Sequence, residues 1–162
     1  MDVDINLLSK SYDVRRLGKN DVDMIYDMSS KNDIYYKYHP PFVTRESIIE
    51  DMEALPPGKR YNDKYYIGFF EGSSLVAIMD LVLGYSTKEI AFIGLFMTNV
   101  QYQNKGIGSK IISETCIYIK SLGYKKIRLG VDKGNPQSYA FWSKNKFSVI
   151  SEDKYILMEL VL

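Results

Sequence analysis

The amino-acid sequence predicts an α/β fold of the α+β type, with a mixed, mostly antiparallel central sheet of about seven strands and roughly four helices. Residues 64–99 are rich in β-branched, aromatic and aliphatic side chains, which favours consecutive strands. Two helical patterns precede this segment, and two more alternate with short strands after it. The predicted order is one strand, two helices, three strands, a helix, a strand, a helix and two closing strands.

Composition indicates one globular domain, which we expect to span residues 1–162. Hydrophobic residues make up 46% of the sequence and charged residues 25%, which is usual for globular proteins. The sequence lacks an apolar run of the roughly 18 residues that cross a bilayer, and its first residues lack the features of a secretory signal. We therefore expect a cytoplasmic protein without a membrane partner.

Charge and cysteine content exclude several classes of function. The 21 basic and 20 acidic residues leave a net charge of +1, which gives no long-range attraction to nucleic acid. The single cysteine, Cys116, rules out an internal disulfide, and no second thiol or histidine cluster could complete a zinc site. We expect no metal, no nucleic-acid partner and a packing role for Cys116.

The first strand and the first helix are read from periodicity. Residues 12–17 alternate as a strand does, and residues 18–30 follow as a helix that Asn20 or Asp21 can cap. The apolar residues of this helix recur every three positions, at Val22, Ile25 and Met28.

Prolines mark the boundaries of the next segment. Pro40 and Pro41 remove two consecutive amide donors, so residues 37–44 are predicted to form a loop. Thr44 can cap a second helix that ends at Pro56. Its apolar face is predicted to contain Ile48, Met52 and Leu55.

The remaining elements follow from turn residues and caps. Turns at 71–74 and 84–88 divide the central segment into three antiparallel strands. A helix over residues 107–122 ends at Gly123, and a later helix begins with Asn135 as cap and Pro136 at its first position. Three further strands are predicted over residues 125–131, 147–151 and 154–162.

The stretch YQNKGIGSK, residues 102–110, joins the last central strand to the long helix. The first amides of a helix have no partner within it, so they attract anions. Gly106 and Gly108 lack a Cβ that would keep a phosphate from the backbone, and Lys105 and Lys110 add positive charge. Taken alone, the glycines could equally form only a tight turn, and neither nucleotide-binding glycine motif is present.

Two motifs together resemble the GNAT acetyltransferase superfamily. Residues 103–108, QNKGIG, match its Q/R-x-x-G-x-G/A coenzyme A loop, and the order of elements is similar to that of its fold. Residues 135–147, NPQSYAFWSKNKF, are similar to a second block of the family. The matching positions there are Asn135, Ser138, Phe141, Trp142, Lys144 and Phe147.

The resemblance implies that the chain binds acetyl-CoA as cosubstrate, without a metal. The amides of the glycine loop would hold the pyrophosphate, the end of the preceding strand would bind the pantetheine arm, and the second block would line the other side. The implied coenzyme-binding residues are Phe96, Met97, Thr98, Gln103, Asn104, Lys105, Gly106, Ile107, Gly108, Ser109, Asn135 and Trp142.

Catalytic residues are less readily identified. Family members often use a tyrosine as acid for the departing thiolate, but Trp142 occupies that position, and an indole is a donor only. Tyr139, one turn earlier on the same helical face, is the nearest phenol, but a packing role beside Trp142 is favoured. Lys146 replaces the glycine that usually precedes the last aromatic residue of the block.

Asp80 is the candidate base, because it is the only ionisable residue in an otherwise apolar strand. A desolvated carboxyl there would have a raised pKa and could accept a proton or recognise the substrate amine electrostatically, although a solvent-facing or structural role is equally compatible. Glu89 is a weaker candidate, since the motif alignment puts Phe92 at the position where some members place their base. His39, the only histidine, is expected to be a loop residue, although the resemblance implies that its region often walls the acceptor pocket.

We therefore predict an N-acetyltransferase that acts on a primary amine of a small molecule or peptide, as a monomer or homodimer. A non-catalytic coenzyme A-binding sensor is the alternative, which Trp142 leaves open. Turnover of any amine would distinguish the enzyme from the sensor.

Overall fold

The computed structural model describes residues 2–162. In chain order its strands are β1 Asp13–Arg16, β2 Lys64–Glu71, β3 Ser74–Leu83, β4 Ile90–Thr98, β5 Lys126–Val131, β6 Ser148–Glu152 and β7 Ile156–Val161. Its α-helices are α1 Val22–Ser29, α2 Asp33–Tyr38, α3 Arg45–Glu53, α4 Ile107–Ser121 and α5 Pro136–Lys144. Within the described residues, no helix combines the length and the apolar character that crossing a membrane requires.

The strands form one sheet in the order β1-β2-β3-β4-β5-β7-β6. Neighbouring strands are antiparallel except β4 and β5, which run parallel because α4 carries the chain across between them. This confirms the predicted mixed, mostly antiparallel sheet of seven strands.

The two faces of the sheet bury separate apolar clusters. Helices α4 and α5 cover one face, where Ile111 and Trp142 pack against strand residues such as Met79. Helices α1 and α3 cover the other face, where Ile25 packs with strand residues such as Ile78. The central strands are mostly apolar because they are covered on both sides, with Asp80 of β3 as an exception.

Two details of the predicted helices are wrong. Lys37 and Tyr38 are predicted to lie in a loop, but they form the end of α2. None of the six residues of α2 is fully buried, so the helix lacks the apolar face by which the sequence reveals a helix. The predicted face of α3 includes Leu55, but that helix ends at Glu53. A proline disfavours helical backbone in the residue before it, and so Leu55 lies outside the helix.

The predicted N-caps of α3 and α5 are confirmed. The Thr44 hydroxyl accepts a hydrogen bond from the Ser47 amide at 3.0 Å. The Asn135 side chain accepts one from the Ser138 amide at 3.1 Å. These bonds set where the chain enters each helix.

Candidate active site

The sheet opens into a fork between β4 and β5. Their parallel pairing ends at Ile93 and Leu129, although β4 continues to Thr98. The β3–β4 register shifts at this level and leaves Gly94 as an extra residue, and such a bulge bends a strand. Beyond it, the outer edge of β4 is open to a ligand.

A cavity of about 350 Å³ lies between the end of β4 and helices α4 and α5. It brings together eleven of the predicted coenzyme-binding residues: Phe96, Met97, Thr98, Gln103, Asn104, Gly106, Ile107, Gly108, Ser109, Asn135 and Trp142. Lys105 is exposed and lies outside the lining. Sequence reasoning missed Asn32 and Tyr35, which also line the cavity but belong to no motif.

The two glycines of the turn into α4 have different physical roles. Gly106 is the N-cap with φ 78°, in the left-handed region, and its carbonyl accepts the first helical bond from the Lys110 amide at 3.1 Å. A Cβ on Gly108 would lie 3.1 Å from the Phe141 ring and 3.2 Å from the Thr98 hydroxyl. The first provides the backbone turn, and the second provides space inside the cavity.

The amides of residues 107–109 precede the first helical hydrogen bond, so they lie at the helix end without an intrahelical acceptor. Since Gly106 lines the cavity with open space where its Cβ would be, an anion can approach this end closely. The arrangement fits a pyrophosphate, which the helix dipole and the free amides would stabilise.

Gln103 connects the loop to the α1–α2 junction. Its side-chain amide donates to the Asn32 side chain and to the Thr98 carbonyl, both at 3.0 Å. Asn32, itself buried, donates to the same carbonyl at 3.1 Å. The Gln103 side chain therefore positions the loop from inside instead of extending towards a ligand.

The open edge of β4 presents only alternate residues. The Asn99 amide donates to the Val76 carbonyl of β3 at 2.8 Å, whereas the Thr98 carbonyl faces the opposite edge. Because backbone groups alternate between the two edges of a strand, Phe96 also faces the fork and Met97 faces β3. The backbone of Phe96 and the amide of Thr98 can thus contact an arm in the fork, whereas the Thr98 carbonyl already accepts bonds from Asn32 and Gln103.

Helix α5 forms the opposite wall. The buried Asn135 side chain caps the helix and also donates to the Ser138 hydroxyl at 3.1 Å. Trp142 is 7% exposed and packs edge-on against the rings of Phe141 and Phe147, with centroids 4.9 and 5.1 Å away. Trp142 is accordingly an apolar packing residue of this wall.

A second cavity of about 230 Å³ lies on the other side of the fork. Four residues line both cavities: Tyr35, Phe96, Ser138 and Trp142. The lining of the second cavity also includes Gly94 of the bulge, His39, Asp132, and Tyr155 from the turn between β6 and β7. Two ligands, one in each cavity, would meet at this shared wall.

Residues 25–147 match the sequence model of the Acetyltransferase (GNAT) family. The chain belongs to the GNAT acetyltransferase family. As a GNAT domain it is an acyltransferase, and acetyl-CoA is the cosubstrate of its family. A comparison with curated protein sequences finds no match.

Solved structures share this GNAT fold. An acetyltransferase from Thermus thermophilus superposes with a TM-score of 0.80 at 19% identity, over 96% of this chain and 99% of that one. The PaiA N-acetyltransferase from Thermoplasma acidophilum, in complex with coenzyme A, gives 0.67 at 19% identity, over 93% and 98%. The spermidine N-acetyltransferase from Vibrio cholerae, in complex with CoA and spermine, gives 0.65 at 17% identity, over 91% and 94%.

The GNAT domain places Asp80 behind the bulge, outside the lining of both cavities. A Cβ on Gly94 would lie 3.0 Å from its Oδ2, which also pairs with the Lys64 ammonium at 3.2 Å. Burial raises the pKa of Asp80, and Lys64 opposes that shift. Within the described residues, Oδ1 has no hydrogen-bond partner. The geometry is equally compatible with Asp80 as the structural partner of Lys64 and with Asp80 as a base.

Three other candidates have clear positions in the GNAT domain. Tyr139 is 44% exposed on α5 and lies outside the lining of both cavities. Glu89 pairs with Lys125 at 2.7 Å on the surface. His39 lies just after α2 and lines the second cavity. The predicted loop position of His39 is thus confirmed.

Two further features of the described residues concern potential metal ligands and the single thiol. Among those residues, no three histidine, cysteine or acidic side chains group as metal ligands would. Cys116 packs against the cluster beneath α4, and burial raises the pKa of its thiol to about 11. The thiol therefore stays protonated near neutral pH.

Proposed function

We propose that this GNAT domain transfers an acetyl group from acetyl-CoA directly to a primary amine of a small molecule or peptide. The observation that carries the proposal is the shared wall of the two cavities, formed by Tyr35, Phe96, Ser138 and Trp142. A thioester entering along the first cavity and an amine held in the second would be brought together there. Holding two reactants in line can remove roughly 7 to 11 kcal/mol of barrier.

The first cavity supports the coenzyme half of the proposal. The amides of residues 107–109 would bind the pyrophosphate, and the outer edge of β4 at Phe96 and Thr98 would bind the pantetheine arm. Asn135 and Trp142 would line the opposite side. All of these residues line the first cavity.

The second cavity supports an amine acceptor. Aromatic rings line it, including Tyr35, Phe92 and Tyr155, and Asp132 adds a carboxylate. Ring faces and carboxylates both attract an ammonium group, which would orient the nitrogen before it loses its proton. The relative from Vibrio cholerae is named for spermidine, so polyamines belong among the acceptors to be tested.

The test combines coenzyme binding with turnover. A ligand that binds the native state at a hundred times its Kd stabilises it by about 2.7 kcal/mol, so acetyl-CoA should raise the melting temperature measurably. Thiol release from acetyl-CoA should then depend on an added amine from a panel of spermidine, tyramine, lysine and a short peptide with a free α-amine. The acetylated product is identified by mass.

Two results would contradict the proposal separately. The absence of any thermal shift with millimolar acetyl-CoA would reject the coenzyme site. A clear shift without release of thiol with any amine would instead indicate the coenzyme-binding sensor. Dephospho-acetyl-CoA serves as a control, since the pyrophosphate contacts should survive loss of the ribose phosphate.

A further inference from the structure

His39 and Asp132 form an ion-pair geometry at the acceptor side of the fork. Nδ1 of His39 lies 3.0 Å from both carboxylate oxygens of Asp132, although 93 residues separate the two in the chain. An ionised carboxylate only accepts hydrogen bonds, so Nδ1 carries the hydrogen. Nε2 is left as the acceptor nitrogen of the neutral ring.

The pair lines the cavity that borders the predicted meeting point of the two substrates. Both residues line the second cavity, and the ring of Tyr35, which lines both cavities, is 5.2 Å from the His39 ring. The His39 side chain is 45% exposed and that of Asp132 is 17% exposed. The imidazole is thus open to solvent and to a ligand, while the carboxylate behind it is largely covered.

The charged surroundings of His39 come from several elements. Asp132 follows β5, Asp51 lies on α3 near enough to interact with the imidazole, and Tyr155 lines the same cavity. Burial, with a contribution from Asp132, raises the pKa of Tyr35, so this phenol stays neutral across the working range of pH. Two carboxylates therefore act on His39, and Asp132 is the one in contact.

We propose that His39 is the general base that removes the proton from the acceptor ammonium, and that Asp132 is the positioning residue that holds its ring. This inference rests on the proposed function. It assigns the base to the second cavity, whereas Asp80 pairs with Lys64 behind the bulge. Imidazole is suited to the task because it exchanges a proton near neutral pH.

The proton balance is complete. The ammonium R–NH3⁺ gives one proton to Nε2, and the resulting neutral amine attacks the thioester carbonyl carbon. The C–N bond forms, the C–S bond breaks with its electron pair leaving on sulfur, and the second nitrogen proton ends on the thiolate. The imidazolium then returns its proton to solvent, for which the exposed edge of the ring gives a route.

The test is the pH profile of kcat/KM for the best amine of the panel, measured on the intact chain. His39→Gln should lose about a hundredfold at neutral pH, the lower end of what a general base contributes. The loss should shrink as the pH approaches the pKa of the amine itself, because the acceptor then arrives neutral. Asp132→Asn should show a smaller loss with the same trend.

Two matched controls separate catalysis from structure. Asp27→Asn removes an exposed carboxylate of α1 that pairs with Lys31. This variant should keep the wild-type pH profile of kcat/KM. The thermal shift with acetyl-CoA should be unchanged in His39→Gln. Added imidazole should partly restore His39→Ala, because the ring position is open to solvent.

The outcomes distinguish this inference from the proposed function. If wild-type protein acetylates no amine, both fail. Two results with active wild-type protein would overturn the base assignment alone. In the first, His39→Gln keeps the wild-type pH profile. In the second, His39→Gln loses the same factor in kcat/KM at every pH, and added imidazole does not rescue His39→Ala. If Asp80→Asn, and not His39→Gln, removes the fall of kcat/KM towards acid pH, the base is Asp80 on β3.

Discussion

At the scale of single residues, the glycine loop combines a backbone requirement with a steric one. Gly106 is needed for its positive φ, and Gly108 for the space beside Phe141. The motif in the sequence predicted both positions, but it could not separate these roles. A backbone angle and a neighbour's ring are properties of the folded chain.

Gly106→Ala tests the first role. An alanine in the left-handed region costs about 1 to 2 kcal/mol, so the free energy of unfolding should fall by that amount. Coenzyme affinity should fall about tenfold, because a distorted turn weakens at least one charge-assisted hydrogen bond from residues 107–109. Denaturant unfolding and calorimetric titration with coenzyme A measure the two effects.

Gly72→Ala is the matched control. Gly72 also has a positive φ, 60°, with open space where a Cβ would be, but it lies in the turn between β2 and β3. The same loss of stability with unchanged coenzyme affinity is expected. Wild-type affinity in Gly106→Ala as well would mean that the pyrophosphate is held elsewhere.

At the scale of elements, local chemistry was sufficient for most of the chain. The caps at Thr44 and Asn135 and the apolar runs of β2, β3 and β4 are signals that neighbouring residues carry themselves. Helix α2 was missed because it buries no side chain completely. The family resemblance already implied that this region often walls the acceptor pocket, but without the helix neither Tyr35 nor His39 could be placed at the fork.

The two caps make a matched pair of predictions. Asn135→Ala and Thr44→Ala should each lower the free energy of unfolding by about 1 kcal/mol, because each frees one amide at a helix start. Only Asn135→Ala should also weaken coenzyme binding, since Asn135 lines the first cavity. Thermal melts with and without coenzyme A check both. Similar coenzyme effects in the two variants would show that α5 is not part of the site.

At the scale of the whole molecule, strand order and the fork could not be derived from local signals. The sequence predicts two closing strands, but not that β7 inserts between β5 and β6. His39 and Asp132 meet only because α2 and the end of β5 reach the same end of the sheet. A motif describes neighbours in the chain, whereas the acceptor side is assembled from distant segments.

Stability in acid should depend on the pair that joins β5 to β7. Burial alone would raise the pKa of Glu159, but hydrogen bonds from Arg128 at 2.6 Å and from Lys126 outweigh it and lower the pKa. Because its pKa is lower in the folded state, Glu159 stabilises the fold fully at pH values above its ordinary pKa of 4.5. That stabilisation is lost as the pH falls through the pKa of Glu159 in the folded state. Glu159→Gln should therefore cost about 2 kcal/mol at neutral pH and nothing in strong acid.

Glu89→Gln is the control for that measurement. Glu89 pairs with Lys125 at the surface, with side chains 60% and 67% exposed, and such pairs contribute little. Urea unfolding of the three proteins across the acid range gives the comparison. A constant difference between wild type and Glu159→Gln at all pH values would mean that packing, not charge, holds Glu159.

The sheet ends on its two shortest strands. β1 has four residues and β6 has five, and these are the strands without a second neighbour. An unpaired strand edge is a template on which another chain can add, and its hazard grows with the length of the edge. The long apolar strands lie inside the sheet, so in the described chain the two outer edges of the sheet expose brief runs of free backbone, which guards against edge-to-edge aggregation.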